Sequence, residues 1–165
     1  MFQSYIAILL FIILSAYHFG EEHFSDKIQI GNIFNGVYYL VYGILLFSML
    51  FYESQLDVET IMIELTNNSF TELQIKNTFL IAVILFLILN LYLFFKKKKD
   101  LFFFGTELFY LGLLFLVFKT SSLILSFAIY FILWHSIPSI IHQIEFLSGF
   151  FNKKNSIYYL KKGLI

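Results

Sequence analysis

TFLIAVILFLILNLYLFF, residues 78–95, runs without a charge into four lysines at 96–99. As a helix it reaches about 27 Å at roughly 1.5 Å per residue, close to the roughly 30 Å hydrocarbon layer of a bilayer. The lysines mark where it leaves the membrane. Four further segments, about 2–19, 33–52, 101–118 and 121–147, fit the same rule. The chain is 165 residues long, 59% hydrophobic and only 13% charged, which is more apolar surface than one soluble domain can bury. The lipid bilayer must be its solvent. The expected fold is all-α, an integral membrane bundle of about five transmembrane helices forming a single domain over 1–165.

The connections carry the remaining polarity. The first segment has no basic leader and no small-residue cleavage site, so it reads as a retained helix. The loop 53–77 holds Glu53, Asp57, Glu59, Glu64 and Glu72 against Lys76, and Val58 to Leu65 suits a short surface helix. The fifth segment, some 27 residues long, exceeds the membrane thickness and must tilt, bend or project. Pro138 predicts a bend, because it lacks an N–H and its ring clashes with the preceding turn. In the tail, 148–165, four lysines alternate with Tyr158, Tyr159 and Leu160, as in an interfacial segment. Keeping lysine inside puts 96–99 and the tail on the cytoplasmic side of the cell membrane, and the loop 53–77 and the N-terminus outside.

Composition also removes classes of function. A net charge of zero gives no electrostatic case for a nucleic-acid partner. Without cysteine there is no disulfide, thiolate nucleophile or iron–sulfur cluster, so metal chemistry must use histidine and carboxylate. All eleven basic residues are lysine, and lack of the arginine fork argues against a phosphorylated or strongly anionic substrate. No internal repeat or pair of broken helices suggests a transporter.

Four histidines remain: His18, His23, His135 and His142. An ionisable group in a membrane helix is costly and is a functional hypothesis by default. In the topology above, His18, His135 and His142 could line one cavity opening from the cytoplasmic half, with Glu107 at comparable depth. His23 falls in the connection after the first helix. His135 and His142 share a helix face within about 20° but lie about 10 Å apart along the axis, too far for one ion on a regular helix. Either the bend at Pro138 brings His142 back, or His135 binds alone with ligands from elsewhere.

Ser15-Ala16-Tyr17-His18-Phe19-Gly20-Glu21-Glu22 and Trp134-His135-Ser136-Ile137-Pro138 resemble the His-Phe-Gly-acidic and Trp-His-Ser-x-Pro motifs of the Brp/Blh family of membrane β-carotene dioxygenases. The resemblance implies a multi-helix oxidoreductase that uses histidine-bound Fe(II) and O₂ to cleave β-carotene, or a related carotenoid, into two molecules of retinal. It implies His18 and His135 as metal ligands, with His142 or His23 replacing those that are missing, and Glu22 as an acid that orients an imidazole; Glu107, at comparable depth, is the other candidate for that role. An earlier His-Gly motif of the family has no counterpart before His18, and Ser139 stands where the family commonly has a second late histidine. The chain is therefore expected to correspond to the larger C-terminal part of a family member. A catalytically incomplete, carotenoid-binding or structural membrane module is the alternative.

Overall fold

The computed structural model describes residues 2–96 and 98–163, so Lys97 of the lysine run lies outside the described residues. The protein is all-helical. Its elements are α1 (Phe2–Phe24), α2 (Asn32–Glu53), α3 (Gln55–Thr66), α4 (Glu72–Phe95), α5 (Leu101–Thr120), α6 (Leu123–Tyr130), a π-helical turn (Phe131–Ser136), α7 (Ile137–Ser148) and α8 (Lys153–Gly163). Among the described residues, five stretches are long and apolar enough to cross a membrane: Gln3–Phe24, Asn32–Glu53, Glu72–Phe95, Leu101–Thr120 and Leu123–Ser148. The chain divides into two compact units, Met1–Phe127 and Ala128–Ile165.

In the first unit α2 is the central helix. It packs against α1, α3, α4 and α5, and it is the most buried of the spans. Two glycines explain how α1 comes so close. A Cβ on Gly43 would stand 1.8 Å from the Ala16 carbonyl oxygen, and one on Gly20 would stand 2.0 Å from that of Tyr39. Ala16-x-x-x-Gly20 is a small-xxx-small pair, which in lipid lets two backbones meet. Above and below this seam Phe19 stacks on Phe47, and Phe24 sits edge-on to Tyr38 and Tyr42.

The connection between α2 and α4 is more ordered than a polar loop requires. α3 covers 55–66, longer than the expected Val58 to Leu65, because Val58 and Met62 bury against Ile75 with Tyr5, Ile8 and Phe70 around them. It ends at Asn67 in the left-handed conformation (φ 55°). α4 then starts at Glu72, six residues before the expected Thr78, because Thr71 and Gln74 form a reciprocal capping box. Asp57 of α3 also accepts from the Leu123 N–H at the start of α6, at 3.2 Å. At the other end of this unit the α1–α2 and α4–α5 connections lie together: Phe34 is against Tyr92 and Phe24 against Phe103.

The second unit begins with the end of α6 and the π-helical turn, closed by the Ile137 N–H to the Ile132 carbonyl. The irregularity expected at Pro138 takes the form of this widened turn. Proline offers no N–H and crowds the carbonyl four residues back, and a π turn makes room for it. α7 ends at Gly149 (φ 83°), where only glycine is unstrained. α8 folds back so that the Tyr159 hydroxyl donates to the Gln143 side-chain oxygen.

Candidate functional site

α1 carries two histidines with different fates. His18 lies roughly 160° around the helix from Gly20, at about 100° per residue, so it is on the face away from α2 and is exposed. Glu22, one turn later on the same side, is half-buried. His23 lies on the α2 side. It is not in a solvated connection, because α1 continues to Phe24 rather than stopping near Phe19. Its imidazole stacks on Tyr42, with centroids 5.1 Å apart and planes 9° apart, and meets Phe24 edge-on at 4.5 Å.

His23 Nε2 is 2.7 Å from Glu107 Oε2, across 84 residues of sequence. Glu107 is only 3% exposed, on the inward face that α5 builds with Leu114 and Phe118. Its other oxygen, Oε1, accepts from Lys27 Nζ at 2.9 Å, and Lys27 Nζ is itself 3.0 Å from His23 Nε2. Lys27 reaches this place because the chain makes one more hydrogen-bonded turn after α1, with its N–H and that of Ile28 both donating to the Phe24 carbonyl.

One ring nitrogen cannot serve both neighbours with a single proton. Protonated, Nε2 donates to Glu107; bare, its one lone pair can accept from Lys27 but not from Glu107 as well. Glu107 is within hydrogen-bond distance of one imidazole, and that imidazole is His23. Beside it, Tyr38 donates its hydroxyl to Asn90 Oδ1 at 3.0 Å, and the Asn90 amide donates to the Phe86 carbonyl at 2.7 Å.

In the second unit His135 is in the π-helical turn, half-buried, its ring 5.1 Å from that of Phe131. His142 is on α7 and exposed.

Iron asks for at least three convergent histidine or carboxylate ligands in a site of this type. Among the described residues, neither unit by itself brings three such side chains together. The His23–Glu107 pair comes nearest, but the Lys27 ammonium lies within hydrogen-bond distance of both and stands where a metal cation would. As it stands that pair does not fit iron.

Sequence reading missed Lys27 and the Ala16, Gly20 and Gly43 seam. Both had signals: Lys27 is four residues after His23, and Ala16-x-x-x-Gly20 lies inside the motif itself. The partnership with Glu107 had none, being a contact between distant helices.

The first unit also contains an apolar cavity of about 380 Å³, whose walls include Phe11, Ile12, Phe47, Phe51, Met62 and Phe127. Fold and site together define an integral membrane protein with an apolar, aromatic-lined cavity and histidines on its membrane-spanning helices. A sequence model of the family described as Beta-carotene 15,15'-dioxygenase matches residues 1–165. The chain belongs to that family, in agreement with the resemblance carried by the His18 and His135 motifs. No curated protein and no solved structure matches it.

Proposed function

We propose that the protein cleaves the central double bond of β-carotene in the membrane, adding both atoms of O₂ to give two molecules of retinal. The observation that carries this reading is the family match over the whole of 1–165. The reaction balances without a further reductant, since each new carbonyl takes one oxygen atom. The apolar cavity of the first unit supports it: a polyene offers no hydrogen bonds, and the residues lining this cavity ask for none.

The motif histidines His18 and His135, with His142 in place of a missing ligand, are the proposed Fe(II) ligands, and iron would supply the activation of O₂. Glu22, on the same face as His18 and one turn on, is the proposed acid behind that imidazole. The run 96–99 and the tail are assigned to the cytoplasmic side of the cell membrane, on the lysine rule. Having the α1–α2 and α4–α5 connections at one end of the first unit agrees with this alternation.

A second reading, a module that holds a carotenoid without cleaving it, is favoured by the lack of three convergent ligands within either unit among the described residues. Expression in cells that make β-carotene separates the two. Loss of colour with retinal in the extract supports the dioxygenase, and the His135→Ala variant should abolish it. Retained colour with carotene co-purifying with the protein would establish the binding module instead. Carotene neither cleaved nor bound would sink both.

A further inference from the structure

The turn between α4 and α5 is only five residues long, 96–100, and both flanking helices are membrane spans. It must therefore lie at the bilayer surface, whichever leaflet it faces. The Lys98 N–H donates back to the Leu93 carbonyl at 3.0 Å, and that of Lys96 to Tyr92 at 3.0 Å, which closes α4 tightly. Over this turn opens a cavity of about 690 Å³, lined by Phe94, Phe95, Lys98, Lys99, Asp100 and Phe103. Its walls pair two ammonium groups with three phenylalanines.

Among the described residues, other charges near this end of the first unit have partners of their own. Lys27 is bound to Glu107. Lys96 is not among the lining residues, and its Nζ is 5.9 Å from the centre of the Tyr92 ring. Asp100, the acid among the lining residues, caps α5 by accepting from the Phe103 N–H at 2.9 Å. Lys99 is half-buried with Nζ 5.0 Å from the Phe103 ring, and Lys98 is exposed at the mouth. Two cations and a committed carboxylate leave the cavity with an excess of positive charge.

We propose that this cavity is a binding site for an anionic phospholipid, with the headgroup phosphate between Lys98 and Lys99 and the first carbons of the acyl chains against Phe94, Phe95 and Phe103. A lipid suits both halves of the lining, whereas free phosphate would leave the aromatic wall unused. Each lysine at such a surface contributes about fivefold in affinity for anionic lipid, so the pair contributes roughly 30-fold. The site does not depend on what the enzyme cleaves.

The test is native mass spectrometry of the whole protein, with dioleoylphosphatidylglycerol and dioleoylphosphatidylcholine offered at equal concentration. The wild type should retain the anionic lipid preferentially, and 10 mM inorganic phosphate should not displace it. Lys98→Gln/Lys99→Gln, checked for unchanged helix content, should lose most of that preference, while Lys96→Gln keeps it. Equal retention of the two lipids by the wild type would overturn the proposal. So would displacement by phosphate, or Lys96→Gln losing as much as the double variant, since then free anion or bulk charge explains the binding.

Discussion

Within the first unit, α1 with α2 and α4 with α5 are pairs of consecutive spans, and the more apolar pair is the less tightly packed. α4 and α5 are the more apolar helices, yet they hardly touch, and a cavity of about 250 Å³ lies between them, with Asn90 and Glu107 among its lining residues. α1 and α2 meet backbone to backbone through Ala16, Gly20 and Gly43. The difference teaches that apolar character puts a helix into lipid but does not pack it. Lipid tails are as apolar as leucine, so close association depends on small residues and on polar groups with no other partner. α5 is accordingly tied in by Glu107 together with a few buried apolar residues, Leu114 and Phe118, rather than along its whole apolar length.

The sharpest way to break this comparison is to fill the seam. Gly43→Leu should abolish the monodisperse folded species in size-exclusion chromatography, and Gly43→Ala should cost about 1–3 kcal/mol as overpacking. Glycines on α5 give the contrast, since a Cβ on Gly105 or Gly112 meets nothing within 4 Å. If Gly43→Leu elutes and melts like the wild type, the close approach of α1 and α2 is wrong.

Removing a partner from the buried trio comes next. Lys27→Met leaves Glu107 with one neighbour and should cost about 3 kcal/mol in thermal or denaturant unfolding, because a buried carboxylate loses its cation. The double variant Lys27→Met/Glu107→Leu should recover much of that loss. A double variant worse than the sum of the two single ones would show that Glu107 does more than balance Lys27.

Smaller effects concern helix ends. Asp100→Ala removes the cap that accepts from the Phe103 N–H and should destabilise by about 1 kcal/mol. The smallest is Gly112→Ala, which should be neutral or stabilise by up to about 1 kcal/mol, because alanine favours helix and the space around it is open. A loss on Gly112→Ala in unfolding would mean that α5 is packed there after all.

Much was legible along the chain. Five spans, their order and the family could be read from apolar run lengths and two motifs, because burying a backbone in lipid demands continuous helices and leaves a local mark. Element ends were less legible. α1 runs on to Phe24 because His23 and Phe24 have partners on α2 and α5, and α4 starts early because Thr71 and Gln74 cap it. The polar sequence of 53–77 disclosed α3 only as a shorter surface helix, because its buried side, Val58 and Met62, gains its value from Ile75 on another helix.

By itself the sequence determined that the protein lives in a membrane, how many times the chain can cross, and which family it joins. Those follow from local constraints, namely the length of an apolar run and the spacing of a few residues. Only the tertiary structure decided which histidine on α1 faces inward. His18 has the motif, but His23 has the buried carboxylate, the lysine and the stacked tyrosine. A helix presents every residue to some side at 100° steps, and which side is inside depends on where its neighbours can approach. Here that was fixed by Gly20 and Gly43, which lack the Cβ atoms that would have kept α1 and α2 apart.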